Sequence, residues 1–406
     1  MEQVVAYGGP IDASSSPAEV DPVGDVQLCV VSTLEELRAL KDDWDGLFSK
    51  SGKPGQVFQT HAWCMTWAQT YLNGAERSAS LFILTARRDG RLVMVWPMVK
   101  ERSTRLARLV WLGAPVTQYG DVIVDDREDV SALLSHAWAR IRAERGVDYI
   151  QLGKVREDAV CAPFVAATGA VQTLSEGAPQ LDLSNAADYD GYASKFSTKS
   201  RKTRQRKMRK LAKLGEVTID RVHGGAEARK IVSEALALKR VWLQATGRVS
   251  KAIMDPRTEN FFLAICEDAV AEAAGTLVTA LRVDGKLAAA EICFACKGQL
   301  VVHVLVYDNE YERFSAGQNL LEHSIASCFD NGVECFDLMA PADGYKLAWA
   351  DRTLMVRDWC QPLTLRGRFW VHGYLGHVRE NLKRAQAVTP LWARRILARG
   401  HRMLTA

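Results

Sequence analysis

The clearest patterning of apolar and polar positions lies between Leu277 and Trp349. Leu277–Val283 and Leu287–Lys297 are rich in apolar and β-branched residues and are joined by Asp284-Gly285. An Asp-Gly pair between two such runs predicts a hairpin, because glycine accepts the positive φ of a tight turn. Leu300–Tyr307 predicts a third strand, and Gln318–Asn331 a helix stopped by Gly332. Cys335–Leu338 predicts a fourth strand, and Asp343-Gly-Tyr-Lys346 a closing loop.

The earlier chain reads in similar terms. Val26–Val31 predicts a strand, and Thr33-Leu-Glu-Glu36 has capping-box spacing for a helix from Leu34 to about Phe48. Thr60–Tyr71 predicts a helix with Trp63 and Trp67 on one face. A hairpin over Ser80–Arg87 and Leu92–Val99 turns at Asp89-Gly90, and short strands follow at Val110–Leu112 and Asp121–Val124. Val130–Arg145 predicts a helix, and Tyr149–Leu152 and Leu181–Leu183 predict strands. Tyr189–Leu214, Ala226–Ala245 and Pro256–Ala274 predict helices, with a strand at Val217–Arg221.

Two stretches repeat. Arg87-Arg-Asp-Gly-Arg-Leu92 matches Arg282-Val-Asp-Gly-Lys-Leu287, and each is followed by strand, helix and short strand in the same order. This predicts an α/β (mixed α+β) protein of two tandem modules, each a mixed central sheet flanked by helices. The expected divisions are a disordered leader over 1–24, a first module over 25–184 and a second over 185–364. The second carries a basic helix over 195–214, and a basic helical tail over 365–406 is expected to pack back on the first module.

Charge sharpens the picture. Lys195–Lys213 holds ten basic residues and no acid, and Arg366–Ala406 carries a net +8; against a total of +4, the rest of the chain is at −14. Two basic segments in an acidic protein point to a localised polyanionic partner and not to general DNA binding. The nine scattered cysteines, and the absence of a signal-peptide pattern or an apolar run of about 18 residues, fit a reducing cytoplasm. Cys293 and Cys296 form a lone C-x-x-C that reads as core, and no metal site is expected.

The copies differ where their helices begin. The second has Arg313-Phe-Ser-Ala-Gly317-Gln; the first has Asp125-Asp-Arg-Glu-Asp129. A helix N-terminus attracts phosphate, and four acids there would satisfy the helix themselves and repel it. Only the second module is therefore expected to bind a phosphorylated donor, through Arg313, Ser315, Gly317, Gln318 and Asn319.

That turn resembles the pyrophosphate loop of Gcn5-related N-acetyltransferases (GNAT), with one residue more between Arg313 and Gly317 and Asn319 in place of a small residue. Tyr307-Asp308, Ser315-Ala-Gly317, Phe336-Asp337-Leu338 and Asp343-Gly-Tyr-Lys346 with Trp349 narrow the resemblance to the CelD/BcsL-type acetyltransferase group, close to the FemAB aminoacyltransferases. The resemblance covers about Leu28 to Leu363. It implies acetyl-CoA or another acyl-CoA as donor, and a nucleotide-linked or lipid-linked glycan of a bacterial exopolysaccharide or holdfast as acceptor. It implies a cytoplasmic enzyme, peripheral at the inner membrane, and puts Lys346, beside Tyr345, near the reacting carbonyl. An aminoacyl-tRNA-dependent transferase and a nucleotide-binding regulator are the alternatives.

Amide formation needs a neutral amine, a held carbonyl and a stabilised oxyanion. Glu291, His303 and Asp343 are the candidate bases, with substrate-assisted transfer through water as a further route. Arg201 and Arg204 in the basic helix are candidates for substrate phosphate, since bidentate geometry favours arginine. An anionic membrane suits the basic helix and the tail residues Arg394, Arg395, Arg399 and Arg402. A cyclic dinucleotide suits Arg366, Arg368 and Arg379.

Overall fold

The computed structural model describes residues 21–23, 26–72, 79–103, 106–248, 250–267 and 274–378. Most of the expected leader and the tail beyond Val378, with Arg379, Arg394, Arg395, Arg399 and Arg402, lie outside the described residues. Asp21–Val23 forms a strand, so the leader ends earlier than expected.

The strands before the basic helix are β1 (Asp21–Val23), β2 (Val26–Val31), β3 (Ala79–Arg88), β4 (Arg91–Arg102), β5 (Ala107–Trp111), β6 (Ile123–Val124), β7 (Tyr149–Arg156) and β8 (Val171–Asp182). Those after it are β9 (Val217–Val222), β10 (Ala274–Val283), β11 (Lys286–Cys296), β12 (Gln299–Tyr307), β13 (Cys335–Asp337) and β14 (Arg352–Pro362). Among the described residues they form one 14-stranded sheet, ordered β1-β2-β3-β4-β5-β7-β14-β8-β13-β12-β11-β10-β9, with β6 paired to β4.

Both modules are present, and both have the same plan. Each has an antiparallel meander whose last strand pairs in parallel with the strand after the following helix: β5 with β7, and β12 with β13. Each turn at Asp-Gly has positive φ at both residues. Each hairpin has a register shift at the same place, before Arg87 and before Arg282. In each, that arginine donates to the turn glycine's carbonyl, Arg87 to Gly90 and Arg282 to Gly285. The six-residue match is thus a match of backbone and side-chain geometry.

The two separate sheets expected from the sequence are in fact one. The modules exchange their last strands: β8 leaves the first module and pairs with β13 of the second, while β14 leaves the second and pairs with β7 of the first. β8 and β14 then pair with each other along nine registered positions. This closes two sheet edges that would otherwise expose unpaired backbone groups.

Two expected helices are broken. Leu34–Phe48 becomes Leu34–Ala39 and Lys41–Ser51, joined at Leu40, with the Thr33/Glu36 capping box formed as predicted. Tyr189–Leu214 becomes Tyr189–Ala193 and Thr198–Leu211, because Ser197 caps a new start by accepting from the Ser200 N–H. Local side-chain oxygens compete with helix continuation in this way.

The main core packs the helix His61–Tyr71 and the helices Gly225–Thr246 and Pro256–Ile265 on one face of the sheet. Phe58, Trp63, Phe261, Phe262 and Phe294 meet there mostly edge to face. Burial of such side chains contributes about 1.5–3 kcal/mol each. The two tryptophans also have polar duties. Trp63 donates to Thr117 and Trp67 to the Ala114 carbonyl, both at 2.8 Å, and so pin the Gly113–Gly120 loop to the helix His61–Tyr71 within the first module.

Candidate functional site

β12 and β13 are paired over only three residues, from Gln299↔Cys335 to Val301↔Asp337. Past Val301 they part. On its other side β12 carries a bulge, because Ile292 opposes Val304 and Cys293 opposes Val302, leaving His303 as the extra residue. Bulges re-aim a side chain and bend the strand. Two clefts open at this divergence.

The first, of about 350 Å³, lies between the end of β12 and the start of the helix Ala316–Asp330. Tyr307, Ser315, Gly317, Gln318, Lys239, Trp242 and Tyr345 line it. Ser315 is in the left-handed conformation (φ 56°) and its side chain does not cap the helix. The first intrahelical bond runs from the Asn319 N–H to the Ser315 carbonyl, which leaves the earlier N–H groups of the turn ahead of it. Gly317 lies close to Tyr307: a Cβ there would sit 3.1 Å from Tyr307 Cδ1, so the ring would have to give by a few tenths of an ångström. Lys207 of the basic helix reaches this turn, its Nζ donating to Ser315 Oγ at 2.5 Å. Glycine, turn and lysine together suit a phosphate group.

The second cleft, of about 250 Å³, is walled by His303, Met339, Asp343 and Lys346, and by Val116 and Gln118 from the first module. Lys239, Leu305 and Tyr345 line both clefts, so the phosphate-type turn and Lys346 face contiguous space. Lys346 is buried, and its ammonium donates to the Met339 carbonyl at 2.9 Å. Burial pulls its pKa down, with Asp343 and Asp337 opposing. Burial likewise pushes the Tyr345 hydroxyl up to about 12, so it stays protonated.

His303 Nε2 lies 2.7 Å from the Val116 carbonyl and must donate to it, leaving Nδ1 as a buried acceptor with no hydrogen-bond partner among the described residues. Burial holds the imidazole down at about 4, so it is neutral at physiological pH. It can accept a hydrogen bond but is a weak proton store.

Several sequence-picked residues sit elsewhere. Glu291 is fully buried between β11 and the helix Ala316–Asp330, accepts from Ser324 at 2.5 Å and lines neither cleft. Asn319 is buried and donates to the Phe314 carbonyl, which makes it a brace for the turn. Arg313 is exposed over the Phe314 ring and also lines neither cleft. Arg204 is turned inward, bonded to Glu322 at 2.9 Å and set against the rings of Phe196 and Trp349. Arg201 is half-buried on the same helix and lines neither cleft. In the first module Asp129 caps its helix as expected, whereas Asp125, Asp126 and Glu128 are spent on ion pairs, Asp125 with Arg91 and Arg127, Asp126 with Lys53 and Glu128 with Arg88.

Lys239 and Trp242 were not singled out from the sequence. The signal was there, since Lys239 extends the buried stripe Ala228, Val232, Ala235 and Leu243 of its helix. Its ammonium donates to the Leu305 carbonyl at 3.1 Å and lies 4.5 Å from the Trp242 ring. Burial, then Arg248 and Lys346, bring its pKa down to about 8.

Residues 198–347 match the family model of the acetyltransferase (GNAT) domain. In fold, the chain is similar to the crystal structure of FemX, at 12% identity and a TM-score of 0.56, over 82% of this chain and 98% of that one. It is also similar to the C-terminal domain (DUF2156) of a lysylphosphatidylglycerol synthetase from Agrobacterium fabrum, at 14% identity and a TM-score of 0.51, over 84% of this chain and 98% of that one. No curated protein matches it in sequence. An acyltransferase built from two GNAT-like modules is the class that this fold and this match define. Among the described residues, no helix is long and apolar enough to cross a membrane.

Proposed function

We propose that the protein is an N-acyltransferase of the CelD/BcsL-type group, taking its acyl group from acetyl-CoA or another acyl-CoA. The acceptor is an amino sugar of a bacterial exopolysaccharide or holdfast, or of its lipid-linked precursor. One observation carries this reading: the Ser315–Gln318 turn and Lys346 line contiguous clefts that share Tyr345. The donor's pyrophosphate sits at the turn beside Lys207, and its thioester passes Tyr345 toward the second cleft. The amine attacks the thioester carbonyl from that cleft, forming the C–N bond. The C–S bond then breaks and the proton leaves with solvent or with the thiolate. Lys346 stabilises the oxyanion, and His303 Nδ1 accepts a hydrogen bond from the amine and orients it.

A second reading has its own support. Lys199, Lys202, Arg206, Arg209, Lys210 and Lys213 form an exposed basic face on the helix whose Lys207 reaches the turn. That face suits an aminoacyl-tRNA donor, as in a FemAB-like transferase acting on a peptidoglycan precursor. Thiol release from acetyl-CoA with amino-sugar acceptors separates the two. The first reading expects turnover that falls at least a hundredfold in Lys346→Ala, and no thiol release with any amine acceptor counts against it.

A further inference from the structure

The second cleft holds two lysines, and Asp343 is the one carboxylate of its described lining that acts on both. Lys239 enters from the helix Gly225–Thr246 and is tied to the Leu305 carbonyl on β12 at 3.1 Å. Lys346 enters from the short helix Gly344–Leu347 and is tied to the Met339 carbonyl at 2.9 Å, with only 8% of its surface exposed. Each ammonium has three donors, and each spends one on a main-chain carbonyl. Among the described residues neither makes an ion pair. Among the described residues Asp343 is the one carboxylate that lines the cleft, His303 is neutral, and Arg248 adds further positive potential at Lys239.

Two buried or half-buried cations that share a single carboxylate and form no ion pair are costly, and two lining one cavity repel each other as well. One main-chain carbonyl uses one donor of each, and the stripe on which Lys239 lies is otherwise Ala, Val and Leu. An apolar residue would fill that position at lower cost. The expense is recovered when an anion enters the cleft and takes up one spare donor of each, which leaves Lys346 its third donor for the oxyanion.

We propose that Lys239 and Lys346 are a two-lysine clamp for an anionic oxygen group of the acceptor, a phosphate or a carboxylate, so that the acceptor is an anionic amino sugar and not a neutral one. This rests on reading the second cleft as the acceptor site. Lys239 becomes a specificity-determining residue, and a bound acceptor places its amine beside His303 with its anion between the lysines.

The test is calorimetry on the full chain with CoA in excess, so that the Ser315 turn is filled and cannot itself report phosphate. The probes are inorganic phosphate, glucosamine, glucosamine 6-phosphate and muramic acid. Phosphate and at least one charged sugar are expected to bind saturably, the preferred one telling phosphate from carboxylate, with glucosamine at least tenfold weaker. Lys239→Met and Lys346→Met are each expected to weaken binding about tenfold or more, the worth of one charge-assisted hydrogen bond. Lys239→Arg should restore it, and Lys199→Met on the exposed face should leave it unchanged. Circular dichroism confirms that each variant folds. Equal binding of neutral and charged sugars, or phosphate binding indifferent to Lys239→Met, overturns the clamp. If CoA itself fails to bind, the donor assignment fails instead, and the same titrations without CoA in Gly317→Asp still decide the clamp.

Discussion

Arg156 of β7 donates to Asp337 of β13 at 2.9 Å across the seam between the modules, and both side chains are buried. The same carboxylate accepts from Tyr119, Gln180, Gln299 and the Met339 N–H. Met339 in turn holds the Lys346 ammonium on its carbonyl. The seam thus positions Lys346, and on the proposed reading the first module contributes to catalysis without binding the donor.

Asp337→Ala therefore leaves Arg156 buried with Asp158 as its one remaining ion pair among the described residues and frees the Met339 segment. Breaking a buried pair in this way costs about 3–5 kcal/mol. Chemical denaturation should show a loss of that size, with kcat falling more than the donor's KM changes. Asp337→Asn, which keeps the shape and part of the bonding, should recover some stability but shift the pH profile, because Asp337 supports the charge on Lys346. An unchanged profile would remove the link between the seam and Lys346.

Glu291 gives a stability prediction with a definite sign. Burial raises its pKa to about 7, with the Ser324 bond opposing. The folded state keeps a proton that the unfolded state gives up near 4.5, so stability falls as pH rises from there through 7. Glu291→Gln removes that penalty. It should stabilise the protein by about 3 kcal/mol above pH 7 and by nothing below pH 4, as read from melting curves across that range. A gap that does not depend on pH would show that Glu291 is charged in the fold.

Lys239 runs the opposite way. Its folded pKa of about 8 lies below the ordinary lysine value of 10.5, with Arg248 and Lys346 adding to burial and Asp343 opposing. Below pH 8 the folded state carries the full cost of the buried charge, and that cost fades as pH rises toward 10.5. Lys239→Met should melt above the wild type at pH 7, with the gap closing at pH 10. A wild type that melts higher at pH 7 would make Lys239 a structural asset and not a ligand group.

Both hairpins, their Asp-Gly turns and the doubled module were legible because a short-range signal sets each one. So were the close placement of Tyr345 and Lys346 and the exposed basic face of Thr198–Leu211, since helical spacing determines it. The exchange of β8 and β14 was not. Val171–Gly177 has no apolar alternation, and it becomes strand only because β14, nearly 180 residues later, pairs with it. The inward turn of Arg204 is also tertiary, set by Glu322, Phe196 and Trp349. Lys239 was visible as a lysine on an apolar stripe, but only the parting of β12 from β13 turns that position into the wall of two clefts.

Titration of acetyl-CoA into the wild type and into Gly317→Asp tests the central claim most directly. A carboxylate at position 317 points negative charge into the turn beside Lys207, while the cost to the fold is a small shift of the Tyr307 ring. Saturable one-to-one binding to the wild type, weakened at least a hundredfold in the variant, is the predicted result. Equal binding to both proteins, or none to either, would contradict the placement of an acyl-CoA donor at Ser315–Gln318.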